Sequence, residues 1–141
     1  MYIKTYNLTK EWPPAVALKW CDANNFNTKL SDGRRPSLIR KTLKECIQKD
    51  TGTLIMAHDG RHYTGWGIAY KLNNCNANEF QCYVPLKHRR KGIATRILSK
   101  ACKLHGKVEV YSIDTSIEFF KANGLTKMDA ITGKLIKKLK P

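Results

Sequence analysis

The first residues of the chain change from strand-like to helix-like spacing of their apolar side chains. Tyr2 to Asn7 alternates weakly, as in a strand with one buried face. Pro13 and Pro14 then open a helix, because proline is favoured in a first turn. The apolar face predicted for this helix is Val16, Ala17, Trp20 and Cys21.

A second helix is predicted after the turn at 32–36. Pro36 can begin it, and Gly52 ends it, since glycine is the usual residue just beyond a helix C-terminus. Its apolar residues again recur at helical spacing, which indicates one buried face. They are Ile39, Leu43, Cys46 and Ile47.

Strand patterns dominate the next part of the chain. Thr53 to His58 is a strand by composition, and Asp59-Gly60 signals a hairpin whose loop runs on to Tyr63 or Thr64. The returning strand is Gly65 to Tyr70. A polar turn at 73–78 precedes a further strand from about Glu79 to Val84.

The third predicted helix has the strongest pattern. It runs from Gly92 to about His105, and Gly106 caps it. The spacing of its apolar residues predicts a single stripe that faces a sheet. This stripe is Ile93, Ile97, Ala101 and Leu104, with Ala94 and Leu98 beside it.

The last part of the chain returns to short elements. Lys107 to Ile113 alternates as a strand. Residues 115–118 have the form of a capping box, so a short helix begins there and stops at Gly124. The tail, Leu125 to Leu139, predicts two more strands joined around Thr132-Gly133.

The predicted element order is β-α-α-β-β-β-α-β-α-β-β over a single domain, residues 1–141. Such a mixed succession predicts an α/β (α+β) fold with helices on both sides of a mixed, mainly antiparallel central sheet. The chain contains no internal repeat, low-complexity tract or linker-like segment.

Composition narrows the location and the chemistry. No apolar run is long enough to span a membrane, and the first residues lack the apolar segment of a signal peptide, so we expect a cytoplasmic protein. The five cysteines are scattered and form no C-x-x-C pair, and the four histidines show no ligand spacing. We therefore expect reduced thiols and no metal.

The net charge of +15 indicates attraction to polyanions. Nucleic acid, acidic proteins and a phosphate-bearing coenzyme all fit it, and charge alone does not distinguish them. It argues against a polycationic substrate, because like charges repel during approach.

The segment from Val84 to Ala94 predicts an anion site. A strand ends, a basic loop follows, and a helix begins at Gly92. The first amides of a helix have no internal partner, and the helix dipole makes that end attractive to phosphate. No acidic residue occurs between Glu79 and Glu109. The spacing matches neither a P-loop nor a dinucleotide fingerprint, and a solvated basic loop remains the other interpretation.

Arg89 to Ala94, R-R-K-G-I-A, matches the pattern Q/R-x-x-G-x-G/A, and here the sequence resembles the GNAT superfamily of N-acyltransferases. Val84 stands where the family's preceding strand ends, although Pro85 falls one place early. Ile117 to Leu125 is similar to the family's later segment A-x-x-L/F-Y-x-x-x-G-F. The predicted element order equals the whole GNAT fold, so the resemblance covers nearly the full chain.

The resemblance implies an acetyl-CoA-dependent N-acetyltransferase without a metal, in which an amine attacks the thioester directly in a ternary complex. In the family, the pantetheine lies between the fourth and fifth strands. The turn between the fourth strand and the helix that follows it binds pyrophosphate. The coenzyme-binding residues implied are Cys82, Tyr83, Val84, Arg89, Arg90, Lys91, Gly92, Ile93, Ala94, Thr95, Asp114, Ser116 and Phe120.

The catalytic residues follow the family less closely. Glu79 is the candidate base, but Asn78 occupies the aligned position, and an exposed residue at a strand start is the other interpretation of Glu79. Phe120 replaces the family's usual tyrosine acid and cannot donate a proton. Tyr111 or Tyr83 is a candidate substitute, although each is also typical of sheet packing.

Three functions remain open at this point. The first is a catalytic N-acetyltransferase whose acceptor is a protein lysine or N-terminus, a small amine, or an amine carried on a nucleic acid; the net charge favours an acidic protein or a nucleic-acid-associated target. The second is a basic nucleic-acid-binding module on a GNAT-like scaffold. The third is a degenerate member that binds coenzyme without turnover. The sequence assigns neither the acceptor nor the oligomeric state.

Overall fold

The computed structural model describes residues 1–24, 52–71, 78–111, 122, 127–128 and 134–138. Within these residues, seven strands form one sheet. The strands are β1 (Tyr2–Asn7), β2 (Thr53–His58), β3 (Tyr63–Lys71), β4 (Asn78–Tyr83), β5 (Lys107–Tyr111), β6 (Lys127–Met128) and β7 (Lys134–Lys138). The helices are α1 (Ala15–Ala23) and α2 (Ile93–His105), with a 3-10 turn at Leu86–His88.

The sheet order is β1-β2-β3-β4-β5-β7-β6. Five of the six neighbouring pairs are antiparallel, and β4 with β5 is the parallel one. A parallel pair needs a crossover connection, and α2 supplies it. The fold class predicted from the sequence, a mixed and mainly antiparallel sheet with helices, is confirmed.

The two helices pack on opposite faces of the sheet. On the α2 face, alternate strand residues such as Ile55, Ala69 and Phe80 form one buried cluster. On the α1 face, the intervening residues such as Leu54 and Trp66 form a second cluster. Because successive side chains of a strand point to opposite faces, each central strand contributes to both clusters.

Two glycines of β3 let α2 approach the sheet closely. A Cβ added at Gly65 would lie 2.9 Å from Ile93 Cγ2 and 3.1 Å from Val84 Cγ2. At Gly67 it would collide with Ile97 Cγ2. The first turn of α2 is therefore held directly against the end of β4, and this contact fixes where the helix begins.

Most predicted element bounds are confirmed, with local corrections. β1 and β2 have the predicted residues, β3 begins earlier at Tyr63, and α2 ends at His105 with Gly106 beyond it. The α1 face was wrong at Val16, which is 63% exposed, whereas the unpredicted Leu18 is buried. Similarly, Leu104 of α2 is 48% exposed, and Cys102 is buried instead.

Several predicted elements lie outside the described residues. These are the second helix from Pro36, the polar turn at 73–77, the capping box at 115–118 and the turn at Thr132-Gly133. The described part of the tail does contain two strands, β6 and β7, which pair with each other in antiparallel fashion. No described helix is long and apolar enough to cross a membrane.

Candidate active site

β4 and β5 pair only where they start. The paired positions are Asn78 with Val108 and Glu79 with Glu109, and the described residues form no further β4–β5 pair. β4 continues to Tyr83 along β3, and β5 continues to Tyr111 along β7. The two strands therefore part after Glu79 and leave a gap between them.

Backbone groups of β4 face this gap. In a strand, the N–H and C=O groups of successive residues point to opposite neighbours. Some of those of Phe80, Gln81 and Cys82 consequently point away from β3 and towards the gap. An extended chain with amide groups can pair with such an open strand side as an added strand would.

The start of α2 lies just beyond the open end of the gap. Gly92 is the N-cap residue, with φ 77° and ψ 10°, and as a glycine it supplies no side-chain cap. Arg96 N–H donates the first helical hydrogen bond, to Gly92 C=O at 3.1 Å. The N–H groups of Ile93, Ala94 and Thr95 donate to no acceptor among the described residues. Three N–H donors at a helix start form an anion site.

Gly92 has a role beyond the one that the sequence indicated. Its left-handed φ favours glycine, since a side chain there costs about 1–2 kcal/mol. A Cβ at Gly92 would meet no described atom within 4 Å, so the space in front of the helix start is open. Arg90 also has a positive φ, 64°, which places two left-handed residues in the turn.

Arg89 connects the turn to the end of β4. Its Nε donates to the C=O of Val84 at 2.8 Å. Its guanidinium carbon also lies 5.6 Å from the centre of the Tyr83 ring, within the range of a cation–π contact. The Arg89 side chain therefore fixes the basic loop against the strand, and the Val84 carbonyl accepts from it.

The positive charge of the loop comes from lysine and arginine. Lys87, Arg90 and Lys91 are exposed. Burial, and next the charges of Lys87 and Lys91, lower the pKa of His88, so its imidazole is neutral at neutral pH. The loop thus presents permanent cations beside the helix start.

Glu79 lies at the point where β4 and β5 part. It is 6% exposed, which excludes the interpretation of an exposed residue at a strand start. Alternation along β4 puts it on the α1 face, opposite to the buried Phe80. Its parallel partner in the β4–β5 register is Glu109, so two acidic residues are neighbours at the base of the gap.

A polar pair that the sequence analysis did not identify lies next to Glu79. Gln81 Nε2 donates to the Tyr70 hydroxyl at 3.2 Å, across the β3–β4 pair. Tyr70 is also the direct partner of Glu79 in the register. The sequence placed Tyr70 and Gln81 on two strands, but only the register brings them together.

Cys82 is a chemically inert neighbour of the gap. Burial raises the pKa of its thiol to about 12, so the thiol is protonated at neutral pH. A protonated thiol is a poor nucleophile. The raised pKa therefore disfavours Cys82 as a nucleophile.

The remaining predicted site residues are described only in part or not at all. Tyr111 ends β5, where its backbone pairs with Lys134. Asp114, Ser116 and Phe120 lie outside the described residues. No group of histidine, cysteine or carboxylate side chains among the described residues has the arrangement of a metal site.

A family model decides what this arrangement belongs to. The model of the Acetyltransferase (GNAT) family matches residues 12–128, which is most of the chain. The chain belongs to the GNAT acetyltransferase family. The segment matched includes the parting strands, the basic turn and the start of α2. No curated protein sequence matches the chain.

Solved GNAT structures share the fold across the whole chain at low identity. One is the PaiA N-acetyltransferase of Thermoplasma acidophilum in complex with coenzyme A, at 13% identity and TM-score 0.63, covering 99% of this chain and 100% of that one. Another is yncA of Salmonella typhimurium, a putative acetyltransferase with acetyl-CoA, at 13% identity and TM-score 0.64, covering 100% and 95%. At 13% identity, the similarity to these two structures shows a shared fold.

Proposed function

We propose that this GNAT protein is an acetyl-CoA-dependent N-acetyltransferase that acts by direct transfer. The coenzyme supplies an activated acetyl thioester. The acceptor nitrogen forms a bond to the acetyl carbon, the carbon–sulfur bond breaks, and coenzyme A leaves as a thiolate. The proton lost by the amine passes to a base of the protein and then to water or the thiolate.

The parting of β4 and β5 directly beside an uncapped helix start carries this proposal. An elongated ligand with amide groups at one end and a diphosphate at the other matches both features at once. The backbone of Phe80 to Cys82 would hold the amide-bearing part. The amides of Ile93 to Thr95, with the exposed loop cations around them, would hold the diphosphate. The residues present therefore fit the coenzyme.

Glu79 is the base in this proposal. A primary amine such as lysine has a pKa near ~10.4, so it is protonated at neutral pH and must lose a proton before attack. Glu79 is buried at the base of the gap, next to the Gln81–Tyr70 pair. This polar pair can order a water molecule between the carboxylate and the acceptor.

Thr95→Glu tests the coenzyme site without weakening the helix. A carboxylate in the first turn favours the helix through its dipole, yet it repels a bound diphosphate. Because two like charges about 4 Å apart near a protein surface repel by about 1–4 kcal/mol, we expect acetyl-CoA affinity to fall about 10- to 100-fold in calorimetry. Ser99→Glu, one turn later on the same exposed side, is the matched control.

Equal affinity losses in Thr95→Glu and Ser99→Glu would contradict the assigned site. Thr95→Glu is a cleaner test than a substitution at Gly92, because any side chain at Gly92 strains its left-handed backbone. Mass spectrometry of cellular proteins and RNA after expression, compared with Thr95→Glu, should then reveal acetylated amines. A protein that binds coenzyme but adds no acetylation would be a degenerate member.

Glu79→Gln tests the base separately. It keeps the size of the side chain and removes the proton acceptor, so the maximal rate should fall about 100-fold or more at neutral pH and recover as pH rises. Glu109→Gln, the same change directly across the strand pair, is the control. An equal rate in wild type and Glu79→Gln would exclude Glu79 as the base.

A further inference from the structure

The outer face of α2 carries a continuous series of cations and hydroxyls, here called the basic stripe. All its members are solvent-accessible, Lys100 partly and the others largely. At 100° per residue they lie within about 140° of the helix circumference, opposite to the buried residues. The basic stripe consists of Thr95, Arg96, Ser99, Lys100 and Lys103.

Within the described part of the chain, the charge of the basic stripe is not compensated by carboxylates. No acidic residue occurs in the sequence between Glu79 and Glu109. Among the described residues, no carboxylate forms an ion pair with Arg96, Lys100 or Lys103. Arg96 Nη1 donates to the C=O of Met1 at 3.2 Å, and this neutral acceptor orients the guanidinium while leaving its charge in place.

We propose that the basic stripe binds the phosphate backbone of nucleic acid. Arg96 and Lys103 are seven residues apart, which is about 10 Å along the helix axis. One strand of a duplex presents about three phosphates over that length, at about 3.4 Å each. The three cations and the phosphates of one strand therefore match in number and extent, and Thr95 and Ser99 add hydroxyl donors.

The composition of the stripe favours nucleic acid over an acidic protein. Lysine is depleted from protein–protein interfaces, whose centres are aromatic or aliphatic. Lysine, arginine, serine and threonine are, in contrast, the usual phosphate-contacting side chains. The stripe has no aromatic residue for base stacking, so its binding is independent of base sequence and strongly dependent on salt.

This inference goes beyond the proposed function. Nucleic-acid binding on the outer face of α2 needs no acetyl transfer. Lys100 and Lys103 lie in the second half of the helix, away from the helix start, whereas Thr95 and Arg96 lie in the first turn and border the proposed coenzyme site. A protein that acetylates while held on nucleic acid would act on amines attached to that polymer or to proteins bound along it.

The test measures binding of a fluorescent duplex DNA of about 20 base pairs by anisotropy, between about 50 and 200 mM KCl, with saturating acetyl-CoA present. The variant is the triple substitution Arg96→Gln, Lys100→Gln and Lys103→Gln. For three lost phosphate contacts, the slope of log K against log salt should become less steep by about 2.7. Affinity at the lowest salt should fall at least tenfold.

The control triple is Lys4→Gln, Lys10→Gln and Lys19→Gln. All three are exposed, they remove the same charge, and they lie on β1, on the following turn and on α1. Side chains two residues apart in a strand share a face, so Lys4 lies with Tyr6 on the α1 face of the sheet. This face is opposite to the one that α2 covers. We expect this triple to change the slope by less than one third as much as the stripe variant.

Three results would overturn the inference. The first is that the wild-type protein does not bind the duplex. The second is that the two triple variants have equal effects, which would reflect net charge alone. The third is that poly-L-glutamate displaces the labelled duplex as well as unlabelled DNA does at equal charge. This result would indicate that the stripe binds an acidic protein instead. Calorimetry with acetyl-CoA on the stripe variant reports the coenzyme site independently, and its affinity there should be unchanged.

Discussion

At the scale of single residues, Arg89 has two contacts that distinguish it from the other cations of its loop. All three cations are exposed, but only the Arg89 side chain bonds to the carbonyl of Val84 and lies over the Tyr83 ring; Arg90 and Lys91 form no such contact with the described residues. We infer that Arg89 positions the phosphate turn relative to β4. In the proposed site, the diphosphate is held by backbone amides at the helix start and by the exposed cations around them, not by the Arg89 side chain.

Arg89→Lys should weaken acetyl-CoA binding although it preserves the charge. Lysine lacks the planar fork that bonds to a carbonyl while stacking on a ring. We expect an affinity loss of about tenfold in calorimetry, since a hydrogen bond from a charged group contributes about 1.5–3 kcal/mol. Lys91→Gln, which removes a charge but no such contact, should lose less. The reverse order of the two losses would show that Arg89 acts by charge alone.

Cys82 gives a prediction about pH. Burial raises the pKa of its thiol to about 12 in the folded protein, above the value of about 8.5 for an unfolded chain. The folded state then binds more protons than the unfolded state between these values, so stability falls as pH rises above about 8.5. Denaturant unfolding of Cys82→Ala should show a smaller stability loss over about pH 8–10 than wild type. Identical pH profiles would contradict the assigned burial.

The residues of the phosphate turn could be predicted from sequence, but their conformations could not. The spacing from Arg89 to Gly92 predicted an anion site at this turn. Nothing in it revealed that Arg89 turns back to Val84 or that Arg90 has a positive φ. Those features depend on how the loop closes against β4, a contact between residues that the linear pattern does not relate.

At the scale of elements, strand positions were predictable and helix faces were only partly so. β1 and β2 match their predicted bounds, because alternation in β1 and strand-favouring composition in β2 are local properties of the sequence. In α1, Val16 and Leu18 have opposite burial from that predicted, since the rotation of a short helix is set by the sheet beneath it. The parting of β4 and β5 was not visible in the sequence alone, where both strands look continuous. Only the family resemblance implied it.

The contact between α2 and β3 gives a prediction for one element against another. Gly67→Ala should place a Cβ against Ile97 Cγ2 and destabilise the protein by about 1–3 kcal/mol, as overpacking does. Ile97→Leu moves the branch away from that point. The double variant should therefore be more stable than the sum of the single effects predicts, which denaturant unfolding measures. Additive effects would show that Gly67 is not where α2 is held.

At the scale of the whole molecule, charge and fold contribute separately to function. The GNAT fold places parted strands and a helix start together, and this positions a coenzyme. The excess charge is 26 cationic minus 11 acidic residues, or +15, which is far more than one coenzyme requires. Arg96, Lys100 and Lys103 lie on the outer face of α2, which is the surface proposed above to bind nucleic acid.

The most direct test of the account is an NMR titration of ¹⁵N-labelled protein with coenzyme A. The account predicts that the largest amide shifts occur in two groups, Phe80 to Val84 along and just after β4, and Gly92 to Thr95 at the start of α2. Amides of the basic stripe beyond Thr95 should move little. Saturable binding that leaves both groups unshifted, with the changes elsewhere on the protein, would contradict it.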